Sequence, residues 1–544
     1  MAMNKPTRRS ILASALAAGA SALAPSHLPA ANPKPKEKTV SPFELEEATI
    51  ADLQQAMQTG QHTASSLVEQ YLRRIAALDR RGPSLSHVIE INPDALAIAA
   101  TLDQERKIKG PRGPLHGIPL LVKDNIDTAD RMTTTAASLA LAGSIAPRDA
   151  FLIRRLRQAG AIILAKTNMS EWANFRSSRS SSGWSARGGQ TKNPYALDRT
   201  PSGSSSGSAA AAAANSCAAA VGTETDGSIV SPSSACSVVG IKPTLGLISR
   251  SGIIPIAHSQ DTAGPIARTV TDAAILLAAM AAVDPDDEAT RNSQRQPDTD
   301  YTRHLRHDGL RGARIGVARA KAFHFGPRVE PILDAAVAAI KSEGALVFDP
   351  VEMATAGQFG DAESEVLLFE FKADLNAYLK NLPPAVPVHS LKEAIEFNER
   401  HRDREMPFFG QEMFIDAEQK GPLTSPEYLQ ALAKCRELTR EKGIDATIQN
   451  HSLDAIIAIT AGPPTLVDLV NGDYDSGGSS SFAAVAGYPS ITVPAGYVFG
   501  LPVGLSFIGK AFSEANLIRL AYAFEQATKI RKPPRFLATA DLKT

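Results

Sequence analysis

Between Thr200 and Thr244 the chain concentrates hydroxyls and glycines in a pattern that could do chemistry. Pro201-Ser202-Gly203-Ser204-Ser205-Ser206-Gly207-Ser208 leads into a run of small residues, Ala209 to Ala214 and then Cys217 to Ala220. Gly222-Thr223-Glu224-Thr225-Asp226-Gly227-Ser228-Ile229-Val230 follows. Read as a helix, the small-residue run can approach a sheet closely and is expected to be buried. A Ser/Gly-rich loop at each of its ends offers hydroxyls for a nucleophile and a proton relay. It also offers free backbone N–H groups for an oxyanion hole. The plainer reading of the serine run is a flexible linker, which the apolar segment directly after it argues against. Gly203-Ser204-Ser205-Ser206-Gly207 also fits GxSxG, but that nucleophile elbow needs a buried strand in front of it. Here Asn193 to Pro201 holds two prolines and no strand pattern.

A serine nucleophile needs a base. His258 is the nearest histidine in sequence, and a lone histidine is more often structural. Lys123 ends the apolar run Ile118-Pro119-Leu120-Leu121-Val122 and precedes Asp124-Asn125. To act as a base near neutral pH it must be uncharged, a fall of about 3 pKa units or roughly 4 kcal/mol. Burial at a strand end supplies such a fall. The bland alternative is a surface lysine at a strand terminus.

Such groups need a rigid frame, and the flanking sequence reads as α/β. Helices are predicted over 49–58 and 63–79, each opening on a threonine suited to N-capping, Thr49 and Thr63. Leu85 to Ile91 alternates like a strand, and Pro93 opens a helix to about Lys109. Strand, helix and strand follow at 118–122, 149–160 and 161–165. The pattern returns at 454–459, 490–494 and 503–508, with a closing helix over 513–528. This alternation predicts a mixed, largely internal sheet with helices on both faces. Between the two halves, 284–450 is richer in charged and helix-forming residues and reads as a peripheral cap, with strand-like stretches at 313–318 and 345–348.

Composition is that of an ordinary globular protein, with 43% hydrophobic and 21% charged residues in 544. Lys+Arg and Asp+Glu both total 57, so no overall field attracts nucleic acid or an anionic membrane. Three separated cysteines, Cys217, Cys236 and Cys435, make neither a disulfide framework nor a CxxC metal site. HExxH, Walker A and strand-linked GxGxxG motifs are absent, so the expectation is chemistry with no cofactor and no metal.

The N-terminus reads differently. Thr7-Arg8-Arg9-Ser10-Ile11-Leu12 is a twin-arginine pattern, followed by an Ala-rich apolar run to Ala24 that is too short to span a bilayer. This is the form of a cleavable twin-arginine export signal, with cleavage after Ala24, Ala30 or Ala31, and it places the mature protein in the periplasm or outside the cell. No stable membrane association is expected. Loss of Lys5, Arg8 and Arg9 leaves 54 basic against 57 acidic residues.

From about residue 45 to 530 the chain resembles the amidase signature family. The motifs that carry the resemblance are Gly117-Ile118-Pro119 leading to Lys123, Lys166-Thr167-Asn168, Ser202 to Ser208, Gly222 to Ser228 and Gly240-Ile241-Lys242-Pro243-Thr244. Ser259 to Pro265 and Gly500 to Gly504 complete the set. The resemblance implies Ser228 as nucleophile, Ser204 as a bridging serine on a cis peptide bond, and Lys123 as neutral base. It further implies an oxyanion hole from the backbone N–H groups of Thr225, Asp226, Gly227 and Ser228. Amides would be hydrolysed to acid plus ammonia through an acyl-enzyme, with a small-molecule or peptide-amide substrate and no nucleic-acid partner.

Ser202, Ser206, Asp226 and Val230 depart from the common family pattern. Asp226 and Val230, with Ser170 to Arg176 and Gly183 to Gln190, are instead similar to the family's bacterial peptide amidases, which act on C-terminal peptide amides. A carboxylate at Asp226 would oppose the oxyanion unless it points away, and it is read as recognising the amide N–H on the leaving-group side. Three alternatives stand beside this: an amidase or esterase of small, aryl or cyclic amides and esters, a component of a tRNA-dependent amidotransferase, and a binding protein on an inactive amidase scaffold. The expected organisation is a signal at 1–31, a linker at 32–42, an amidase domain at 43–535 containing the 284–450 insertion, and a tail at 536–544.

Overall fold

The computed structural model describes residues 42–291, 298, 300–319, 326–474 and 477–543. The signal expected over 1–31 and, but for Pro42, the linker expected over 32–42 lie outside them. No helix among the described residues is long and apolar enough to cross a membrane.

The strands in chain order are β1 Val88–Ile91, β2 Pro119–Lys123, β3 Ile162–Thr167, β4 Trp184–Ser185, β5 Gly189–Gln190, β6 Ala219–Glu224 and β7 Val239–Lys242. They continue as β8 Thr262–Ala267, β9 Arg314–Ala318, β10 Leu346–Val351, β11 Ala455–Ile459, β12 Ser490–Val498 and β13 Leu501–Ile508. Apart from the small β4–β5 pair, they form one mixed sheet of eleven strands, in the order β1-β3-β2-β6-β8-β7-β12-β13-β11-β9-β10. Strands β2, β3, β6, β7, β8, β11 and β13 are buried at every position. Side chains alternate between faces, so burial at every position requires helices on both sides. Helices packed on the sheet include Ser206–Ala213, Ala64–Leu78, Val270–Met280, Glu330–Ser342 and Glu514–Thr528.

Local signals account for much of this. Thr49 and Thr63 each close a capping box, their hydroxyls accepting from the N–H of Asp52 and Ser66 at 3.1 Å. Strands β12 and β13 form a hairpin over Phe499-Gly500, both at positive φ (51° and 75°), the turn whose twist matches the strands.

Two expectations are corrected. Cys217 to Ala220 is not helix: the helix ends at Ala213, and Ala219 to Glu224 become β6 between β2 and β8. Small residues suit close packing in either element, so the neighbouring strands decide which one forms. The stretch 284–450 is also not all periphery, because β9 and β10 extend the main sheet in parallel with β11. The helical layer itself begins at Gly360–Leu379 and runs to Asp445–His451. Within the expected tail, Phe536 and Leu537 are buried, and Leu537 bridges to Ala196.

Candidate active site

Strands β2 and β6 are parallel neighbours, with Val122 opposite Val221. Their C-terminal ends therefore open side by side, the usual place for a site in such sheets. Lys123 is the last residue of β2, and the loop carrying Ser228 leaves β6 just after Glu224. Lys123 Nζ lies 2.8 Å from Ser204 Oγ, 2.9 Å from Thr223 Oγ1 and 3.2 Å from the Thr223 carbonyl. All three partners are uncharged. Burial drives its pKa down to about 7, against the opposing pull of the Asp261 and Glu224 carboxyls. Asn125 Nδ2 donates to the same Thr223 hydroxyl at 3.0 Å.

Ser204 follows a cis Gly203–Ser204 peptide bond. It stands before the helix Ser206–Ala213, which is buried throughout as its composition predicts. A Cβ at Gly207 would sit 2.4 Å from the Asn168 carbonyl oxygen, so only glycine lets this helix start so close to its neighbour. Ser205 ties the serine run to β6 and to the loop that follows it. Ser205 N–H donates to the Ser228 carbonyl at 3.2 Å, and Ser205 Oγ donates to the Thr223 carbonyl at 3.0 Å.

Beyond β6, Glu224 accepts the N–H groups of Ile229 and Val230 at 2.7 and 3.0 Å. Among the described residues no acceptor is paired with the backbone N–H of Thr225, Asp226, Gly227 or Ser228. Gly227 sits at φ 75°, which turns the chain between them. Asp261 braces the loop: its Oδ1 accepts from Thr225 Oγ1 at 2.6 Å, and its Oδ2 takes the N–H groups of Ile256 and Ala257. The Asp226 carboxylate is held by the Ser480 hydroxyl and by the Glu363 carboxyl, groups outside the loop.

Two adjoining compartments meet here. One, of about 440 Å³, is lined by Ser204, Thr223, Asn125 and Tyr378. The other, of about 310 Å³, is lined by Ser228, Asp226, Leu367 and Met413. Both share Ala173, Thr225 and Ile256. Thus Ser204, Ser228 and the loop of free N–H groups border one cleft, with Lys123 buried behind Ser204. His258 stands at its rim, its Nδ1 2.9 Å from Asp374, where the helical layer meets the sheet.

Sequence reasoning did not single out Thr223, Asn125, Asp261, Glu363 or Ser480. A signal for Ser480 existed, because Gly477-Gly478-Ser479-Ser480-Ser481 before the apolar Phe482 to Ala486 repeats the composition of 202–214. Glu363 has no local signal.

A buried amine bonded to a serine, a second serine on the adjoining loop and a run of free N–H groups are the equipment of acyl transfer. Comparison with known proteins narrows that class. The Amidase family matches residues 66–518. The native peptide amidase of Stenotrophomonas maltophilia is 51% identical, covers 91% of this chain and all of its own, and superposes with a TM-score of 0.87. A probable amidase of Arabidopsis thaliana is 46% identical over 92% of this chain and 93% of its own length. A putative amidase of Schizosaccharomyces pombe is 37% identical over 93% of this chain and 88% of its own. The chain belongs to the Amidase family. It is an amide hydrolase acting on carbon–nitrogen bonds, similar to bacterial peptide amidase.

Proposed function

We propose that the protein removes ammonia from C-terminal peptide amides through an acyl-enzyme on Ser228. The observation that carries this reading is the 2.8 Å contact of Lys123 with Ser204, made by an amine whose partners are all uncharged. An amine near pKa 7 is neutral in a large fraction of molecules at neutral pH and takes a proton from Ser204 Oγ. Ser204 takes one from Ser228, whose Oγ attacks the amide carbon. The N–H groups of Thr225 to Ser228 receive the oxyanion. Ser204 gives that proton to the leaving nitrogen and recovers one from Lys123, the C–N bond breaks and ammonia departs. Water then attacks the ester, passing a proton to Ser204 and Lys123, and Ser228 leaves as Ser204 hands that proton back.

The 51% identity to a peptide amidase over the length of that chain supports a peptide-amide substrate. So does a cleft with a roomy compartment on one side of the serines and a smaller one beside Asp226. An ionised carboxylate offers about four lone-pair sites. Asp226 thus keeps acceptor capacity for the N–H groups of a primary amide beyond its bonds to Ser480 and Glu363. Ammonia release from amidated dipeptides, measured beside simple amides and with Ser228→Ala as control, tests the reading. Rapid release from the dipeptides that the variant lacks supports it, and release only from simple or aryl amides discards the substrate. A normal turnover rate in Asp226→Asn would remove the role given to Asp226. Export by the twin-arginine route is proposed from Arg8 and Arg9, and a paired lysine replacement is expected to keep the protein inside the cell.

A further inference from the structure

Glu363, in the first turn of the helix Gly360–Leu379, reaches the nucleophile loop from a different layer of the fold. Its Oε1 accepts from Gln260 Nε2 at 3.1 Å, and the same amide donates to the Thr225 carbonyl at 3.3 Å. The Glu363 carboxyl also hydrogen-bonds the Asp226 carboxylate, whose Oδ1 is held by Ser480. Two carboxyls in hydrogen-bond contact require one proton between them, since neither anion can donate. Glu363 therefore grips the four-residue N–H run at two adjacent points, Thr225 through Gln260 and Asp226 directly.

We propose that Glu363 is a positioning residue, holding the oxyanion loop in register through Gln260 and through a proton shared with Asp226. This rests on reading the N–H groups of Thr225 to Ser228 as the oxyanion hole.

The groups that face Glu363 from the elements around it are Asp226 on the nucleophile loop, Gln260 on the loop before β8 and the Cys435 thiol on the helix Pro426–Arg436. None is a cation. Burial and the Asp226 charge raise the Glu363 pKa well above the usual carboxylate range. The positive end of its own helix works against them and does not reverse the direction. The proton is thus kept to higher pH than an ordinary carboxyl keeps it, and is lost as pH rises further. Two facing anions then push the loop apart, just where Lys123 has become a fully neutral base. An alkaline decline in nucleophile reactivity accordingly belongs to Glu363.

The test is the rate of Ser228 labelling by a fluorophosphonate across pH, in the full chain with Glu363→Gln, Glu363→Ala and Ser228→Ala. Glutamine imitates the protonated acid, since its amide N–H can donate to Asp226 while its carbonyl accepts from Gln260. The wild-type rate is expected to fall about fivefold or more from neutral to alkaline pH, and that of Glu363→Gln less than about twofold. Glu363→Ala should label about tenfold more slowly at both. Parallel declines in wild type and the glutamine variant would overturn the proposal, as would wild-type rates in the alanine variant. Labelling of Ser228→Ala at the wild-type rate would instead bring down the nucleophile assignment, and this inference with it. The readout needs no peptide amide, so a wrong substrate shows up separately.

Discussion

Lys123 at the end of β2 and Lys242 at the end of β7 are both fully buried, yet the fold sets them in opposite company. Lys123 touches two hydroxyls and a carbonyl. Lys242 donates to the Pro243 carbonyl at 3.1 Å and lies in the field of two buried carboxyls, Glu224 and Glu514. Burial lowers both amines, to about 7 and about 8, and carboxyl charges hold both partly up. Desolvation is common to the two lysines, and what differs is the contacting shell. Hydroxyl partners can pass a proton on, whereas the Pro243 carbonyl that Lys242 meets cannot. The first arrangement makes a base that can relay a proton, and the second leaves the amine without a relay partner. Glu224 joins the regions, because it acts on both lysines while capping the N–H groups just past Ser228.

The contrast can be broken by removing each amine in turn. Lys123→Met is expected to cut amide turnover by roughly 10²- to 10⁴-fold, with a smaller loss on an activated ester, whose leaving group needs less protonation. Equal losses on both substrates would deny Lys123 a part in protonating the leaving nitrogen. The same replacement should stabilise the protein, on the order of 5 kcal/mol at neutral pH, because the wild-type fold must strip a proton from a lysine. Lys242→Met is expected to stabilise by less, on the order of 3 kcal/mol at neutral pH, because burial lowers its pKa only to about 8. Chemical denaturation of the two variants side by side checks the order of the two effects.

pH sharpens the comparison. The folded-state pKa of Lys123, about 7, lies below its unfolded value of 10.5. Its contribution to stability is therefore full above the unfolded value, declines as pH falls and is lost below about 7. Denaturation of wild type and Lys123→Met should converge toward the alkaline end of that window and diverge toward neutrality. In kcat/KM the same group should appear as an acid limb near pH 7, since the protonated amine is no base. A limb unmoved in a Lys123 variant with residual activity would assign it elsewhere. The smallest expected effect is that of Thr223→Val, which removes one of three contacts to the amine. About a tenfold loss in kcat with KM little changed would mark Thr223 as orienting the base. A pure KM effect would make it a substrate contact.

Much of the frame was legible because its causes are local. Capping threonines at 49 and 63, the apolar runs of β2, β3 and β11, and the closing helix each follow from spacing within a few residues. Where local signals are degenerate, reading stopped short. Cys217 to Ala220 is small and apolar enough for helix or strand, and the gap between β2 and β8 made it strand. Strands β9 and β10 were visible as short apolar runs, but their place in the main sheet depends on β9 pairing with β11, more than a hundred residues away.

The site divides in the same way. Residue types and ordered motifs alone determined that this chain carries a lysine and two serine-bearing loops fit for acyl transfer, on a sheet able to bury them. Tertiary structure decided what those groups become. Lys123 meets Ser204 across 81 residues and Thr223 across 100. Only that meeting, inside a sheet with helices on both faces, removes water and charge from the amine and makes it a base. Glu363 reaches Asp226 from another layer of the fold, a contact that no pattern within either segment encodes. Periodicity and capping act within a few residues, while burial and the company of charges are properties of the packed molecule.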